Sequence, residues 1–228
     1  MAALFVLSVV FSAVAEEGPG DCLGIDFNTR NPVTIAKIIA DRTRVYFVKN
    51  SSDDAACPAA TASCQDQAYL VPGDLVLIGK GHGAFTCVSY QSAAARTQRW
   101  SNGWLPSAGM TPVVPAPAPS RSDWIGDWVH AGGKIVIRFG KRRALTVRGE
   151  AFYNAAQNVH TGVIDAVAKP VNGLLEFADD GSVPFDKASG NAECLVRMQR
   201  VEAFLVVEDN GGCGGVLVTF TGFYRRKR

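Results

Sequence analysis

The chain has 228 residues, 47% of them hydrophobic and 19% charged, and its 23 basic and 21 acidic side chains leave a net charge of +2. Such a balance excludes a disordered polyelectrolyte and gives the bulk of the molecule no electrostatic reason to hold nucleic acid. No apolar run reaches the roughly 20 residues a membrane-spanning helix needs, and the length suits two modest domains.

Residues 1–15 read as a signal peptide. An apolar run over residues 4–14 ends in Ala13-Val14-Ala15, a small-x-small cleavage pattern, and Glu16-Glu17 follow. No Lys or Arg precedes the run, and its other reading is a buried strand at a domain edge. Cys22 does not suit lipid attachment, because Asp21 stands where a small residue is needed. The expected product is periplasmic or secreted, begins near Glu16 and carries no membrane anchor. Six cysteines in such a compartment are expected to pair as staples.

The first domain is expected over residues 16–111. Runs rich in Val, Ile, Tyr and Phe at 44–49, 74–78 and 85–90 predict strands between turn residues, and 34–40 reads as either a strand or a helical turn. Gly79-x-Gly81-x-Gly83 is expected to be a hairpin, since no helix follows to hold a phosphate. Four cysteines allow three pairings. The favoured one joins Cys57 to Cys64 across a small-residue loop and leaves Cys22 for Cys87; the other two stay open. No C-x2-C or H-x3-H spacing occurs, so no metal site is expected. Trp100 lies near Arg96 and Arg99 just before Gly103-Trp104, a grouping able to stack on a sugar or peptide. In its plainer reading, Trp104 is core and Trp100 partly covers it.

Residues 112–120 hold four prolines, at 112, 115, 117 and 119. Proline fixes φ and removes amide donors, so this stretch is expected to be an extended spacer outside any sheet, joining halves that fold independently.

The second domain is expected over residues 121–228. Strands are predicted at 134–139, 144–148, 162–167, 173–177, 194–200, 203–207 and 216–224, giving an antiparallel barrel or sandwich. Cys194 and Cys213 border two of them and are expected to form a disulfide. Glycines around Cys213 would leave a thiol accessible, but a reactive cysteine sits at a helix N-terminus, whereas a strand is expected here. Asp179-Asp180-Gly181 reads as a hairpin turn. His160, between Asn158 and Thr161, is the histidine with polar neighbours and a candidate ligand contact; its plainer reading is a structural turn. The tail Arg225-Arg226-Lys227-Arg228 is expected to be solvated.

Two stretches carry resemblances. Val71-Pro-Gly-Asp-Leu-Val-Leu-Ile-Gly79, Gly83-Ala-Phe-Thr-Cys-Val-Ser-Tyr90 and Gly103-Trp-Leu-Pro106 resemble bacterial SH3-like domains over about residues 44–110. That resemblance implies a small barrel of a kind that binds peptidoglycan or proline-rich peptides. Trp124-x-Gly-x-Trp128, Cys194-x-Val-x-Met198 and Cys213-Gly-Gly followed by Phe220-x-Gly-x-Tyr224 resemble a β domain of secreted proteobacterial proteins over about residues 124–226. Some members carry it beside a lysozyme-inhibitor (LprI-type) region, whose helical cysteine-rich part is absent here. The expected protein is therefore all-β: an SH3-like small barrel, a proline-rich linker and a C-terminal barrel or sandwich. Its expected role is non-enzymatic binding of a cell-wall component or another envelope or secreted protein, without catalytic residues or cofactor. The alternatives are an inhibitor of a secreted glycosidase such as lysozyme and, last, a cell-envelope hydrolase.

Overall fold

The structure is a computed structural model, described over residues 20–25, 32–39, 43–92, 99–115, 119–154, 158–178, 185–188 and 194–227. The expected signal peptide, Arg96 and the 179–181 turn lie outside the described residues. The chain is all-β and forms two antiparallel sheets.

The first sheet contains β1 (Thr34–Ile38), β2 (Val45–Val48), β3 (Gln65–Leu70), β4 (Leu75–His82), β5 (Phe85–Tyr90), β6 (Ser101–Pro106) and β7 (Met110–Val113), ordered β3-β2-β6-β5-β4-β1-β7. A 3-10 turn, Ser107–Gly109, separates β6 from β7. Strands β1 to β6 all contribute to one cluster that includes Ile38, Phe47, Leu70, Val76, Val88 and Leu105, so the sheet curls around its own core. A second cluster gathers Trp104, Phe85 and the four cysteines of this half.

The open reading of residues 34–40 resolves to a strand, β1. The expected hairpin at 79–83 is shorter: β4 continues to His82 with a register shift between Ile78 and Gly81, and the turn falls at Gly83, whose φ is 58°. Strand β3 was not anticipated. Its sequence, QDQAYL, is polar because it is an edge strand with five exposed residues.

The expected spacer begins later than the prolines suggest. Pro112 belongs to β7, where it pairs with Ala36. β7 is the outer strand of its sheet, and an edge position tolerates a residue without an amide proton.

The second sheet follows a one-turn helix, α1 (Arg121–Trp124), begun by a capping box between Ser120 and Asp123. Its strands are β8 (Gly126–His130), β9 (Gly133–Phe139), β10 (Leu145–Asn154), β11 (Val159–Ala168), β12 (Leu174–Ala178), β13 (Leu195–Val201), β14 (Phe204–Asp209) and β15 (Gly222–Arg226). Each neighbours the next in sequence except β11 and β12, and β15 returns to pair with β8. The result is a nearly closed up-and-down barrel with a seam between β11 and β12. Along β11 the odd-numbered residues face solvent and the even-numbered Gly162, Ile164, Ala166 and Ala168 face inward, the period-two pattern of a one-sided strand.

The expected strand over 216–224 is corrected to β15 at 222–226. Residues 216–221 instead form a turn and an irregular crossing, with Leu217 in the left-handed region at φ 66°. Their alternation has another cause. Asp209 gathers this segment: its Oδ1 accepts from the Thr219 and Thr221 hydroxyls and from the Thr221 amide at 3.1 Å. Hydrogen bonds that a ladder would make are made to one carboxylate.

The halves share a buried junction. Ile35, Leu75 and Leu77 of the first sheet share a buried cluster with Val201, Val206 and Phe223 on the outside of the barrel. Lys37 pairs with Glu202 across the same junction, and Gln91 Oε1 accepts the Phe223 amide at 3.3 Å. Apolar side chains that point outward from a barrel need a cover, and β1 and β4 supply it.

Candidate functional site

Three disulfides fix the scaffold: Cys22–Cys87, Cys57–Cys64 and Cys194–Cys213. All six cysteines are thereby bonded, which removes both a thiolate nucleophile at Cys213 and a thiolate metal site. Three disulfides indicate an oxidising, extracytoplasmic environment. No helix among the described residues is long and apolar enough to cross a membrane.

The described residues singled out in the sequence fall at separate places, Arg99 and Trp100 in the first half and His160 in the second. Trp100 is half-buried against the cluster shared by the two halves, as are Phe204 and Val113, while Arg99 is exposed. Trp104 is fully buried, and its Nε1 donates to the Gly20 carbonyl at 2.9 Å, tying the N-terminal lead to the core. His160 lies at the other half's disulfide loop: its Nδ1 is 2.6 Å from the Val216 carbonyl oxygen, and the Thr161 carbonyl accepts the Gly215 amide at 3.1 Å. Together these contacts hold the 213–217 loop against β11.

The barrel's interior is occupied. Trp124, Trp128, Leu145, Phe220 and Tyr224 are fully buried within one cluster. Eight strands enclose a space that side chains of this size fill. Trp128 Nε1 donates to the Trp124 carbonyl and the Tyr224 hydroxyl to the Phe220 carbonyl, both at 2.9 Å, so these two polar groups are paired within the core, whereas Trp124 Nε1 is buried without a hydrogen-bond partner among the described residues. Two guanidiniums cover Trp128: Arg200 at 4.3 Å and Arg226 at 4.8 Å from the ring centroid. Burial, with Arg226 nearby, lowers the Arg200 pKa to about 10.

Two polar groups are held against their ordinary chemistry. Glu208 is buried at the junction and accepts the Val33 amide at 3.1 Å, while Gln199 donates to the Val33 carbonyl at 3.2 Å. Burial raises the Glu208 pKa to about 7, against the opposing pull of the Val33 amide and Arg197. Arg197 is itself committed to Glu176 at 2.6 Å. His130 packs edge-on against Tyr224 at 4.0 Å, and burial lowers its pKa to about 4.

One end of the barrel differs from the rest of the surface. Strand register brings α1, the β9–β10 turn, the β11–β12 connection and the end of β15 together there. Lys141, Arg142 and Arg143 form the β9–β10 turn, all exposed, and Lys169 opens the neighbouring connection. Phe139, Lys141, Arg142, Val167 and Lys169 border an open depression of about 1060 Å3. Among the described residues no carboxylate pairs with Lys141, Arg142, Arg143 or Lys169. Sequence reading passed over this site. Its signal was three consecutive cations between two strands, overshadowed by the basic tail 225–228. Comparison with protein-family models, with curated proteins and with solved structures returns no match.

Proposed function

We propose that this chain is a non-enzymatic binding protein of the periplasm or the secreted fraction, acting at the cell envelope on peptidoglycan or a protein ligand. The observation that carries the reading is the filled barrel. An eight-stranded up-and-down barrel is a natural container, yet Trp124, Trp128, Phe220 and Tyr224 take the space a small molecule would need. Recognition then falls to outer surfaces, and the disulfides and the shared junction hold those surfaces rigid. A pre-ordered surface loses little entropy on binding. The resemblance of residues 44–110 to bacterial SH3-like domains supplies the ligand class.

Co-sedimentation of the folded, oxidised chain with insoluble purified peptidoglycan tests this reading. Retention is expected. Absence of retention together with stoichiometric inhibition of lysozyme would move the assignment to a glycosidase inhibitor. Release of soluble cell-wall fragments by the chain alone would overturn the non-enzymatic reading.

A further inference from the structure

We infer that the basic end of the second barrel is a docking surface for an anionic phospholipid bilayer. The inference rests on the envelope reading above and adds a second surface to it. Three observations converge on this end.

The first is charge. Lys141, Arg142, Arg143 and Lys169 are exposed there without carboxylate partners among the described residues, and Arg121 projects from α1 beside them. The Arg121 guanidinium lies 5.1 Å from the Phe139 ring centroid and donates to the Ala144 carbonyl at 2.9 Å, at the foot of the basic turn. Arg226 and Lys227 reach the same end on β15, where the Lys227 amide meets the Asp127 carbonyl at 2.6 Å. Of the nearby acids, Asp123 is taken up by the Ser120 cap and Asp127 by Arg138.

The second is apolar exposure interleaved with that charge. Phe139, Val167 and Val171 are 60%, 66% and 61% exposed. A soluble polyanion would neutralise the cations and leave these side chains in water. A bilayer interface takes both, with cations at the phosphates and apolar tips among the acyl chains.

The third is strain. Arg142 and Arg143 have φ of 52° and 66°, both in the left-handed region. The connection beside it makes the same kind of turn with Asn172 and Gly173, at φ 50° and 80°. Asn-Gly is what such a turn prefers; two arginines in the same conformation are costly. The fold thus keeps two cations at a tip where its own neighbouring turn illustrates the relaxed solution.

The test is vesicle flotation with the full oxidised chain. One set of vesicles is phosphatidylcholine alone; the other contains one-third phosphatidylglycerol. The chain is expected to float with the anionic vesicles only, and less so as salt rises. The variant K141Q/R142N/R143G installs the relaxed turn and removes three charges. It is expected to remain folded and to lose vesicle affinity on the order of a hundred-fold. Phe139→Ser keeps all charges and is expected to lose roughly ten-fold. Equal flotation with both vesicle types, or unchanged flotation of the triple variant, overturns the proposal. So does binding to soluble polyphosphate, unaffected by Phe139→Ser, without flotation. Peptidoglycan retention measured on the same variants separates the two surfaces. Retention without flotation defeats this inference alone, and flotation without retention defeats only the peptidoglycan reading.

Discussion

The Glu208 carboxylate accepts the backbone amide of Val33, 175 residues away in sequence, and so ties the lead of the first sheet to the outside of the second barrel. Its pKa is raised from 4.5 to about 7, chiefly by burial. The unfolded chain ionises first, so the folded state holds the extra proton between these values. Stability is therefore full at the acidic end of this window and falls as pH rises through about 7. Glu208→Gln keeps an oxygen for the Val33 amide and removes the charge. Thermal melts across this range are expected to show the variant gaining over the parent as pH rises, by an order of 3 kcal/mol at most. A constant difference between the two curves would contradict the assignment.

His130 works in the opposite sense. Its Nδ1 accepts the Gly132 amide at 3.2 Å, and its Nε2 has no hydrogen-bond partner among the described residues. With the folded pKa near 4 and the ordinary imidazole value 6.5, the unfolded chain takes up the proton first on acidification. Stability contributed by neutral His130 is present above about pH 6.5 and is lost toward pH 4. In His130→Phe, which keeps a ring against Tyr224, that slope should flatten, at a cost of about 1 kcal/mol for the lost amide acceptor. Urea titrations at a series of pH values provide the measurement.

Disulfide loops rank the staples. The bridged cysteines are 65, 19 and 7 residues apart for Cys22–Cys87, Cys194–Cys213 and Cys57–Cys64. In the chain-entropy picture their removal as serine pairs costs about 4, 3 and 2.4 kcal/mol. Denaturation midpoints of the three double-serine variants should follow that order. A reversed order would mean that local packing, not loop closure, dominates.

Gly162 is a close-approach position. A Cβ there would collide with the Cys213 carbonyl oxygen and meet Gly214 Cα at 3.1 Å. Since the nearest atom is backbone and Val218 Cγ1 crowds the same space at 2.9 Å, Gly162→Ala is expected to push the 213–217 loop off β11 and destabilise the barrel by roughly 2–4 kcal/mol. Faster hydrogen exchange at the Gly215 amide, which donates to Thr161, would report the displacement. A variant as stable as the parent, with that amide still protected, would show that the loop yields freely.

The all-β class was readable because turn residues punctuate short Val- and Ile-rich runs, and the loop 58–63 made the Cys57–Cys64 bridge legible. What misled were segments whose pattern has a second physical origin. Residues 216–221 alternate because Asp209 organises two threonines, not because they are a ladder strand. Pro112 reads as a spacer residue, but an outer strand accepts it. The junction between the halves was hidden because Ile35, Leu75, Phe223 and Val206 look like ordinary core residues of their own sheets. Nothing in a one-dimensional pattern states which sheet face they serve. The Lys141-Arg142-Arg143 turn could be found as a charge run, but its strain is visible only in φ.

The last strand of the barrel is also one of its middle strands. β15 lies between β14 and β8, and Phe223 on it enters the cluster shared with β1 and β4. A chain emerging from its N-terminus therefore has an open meander until residues 222–226 are available. β8 waits unpaired on one side through nearly a hundred residues of synthesis. The completed junction also depends on Phe223, so maturation of both halves is coupled to one late segment.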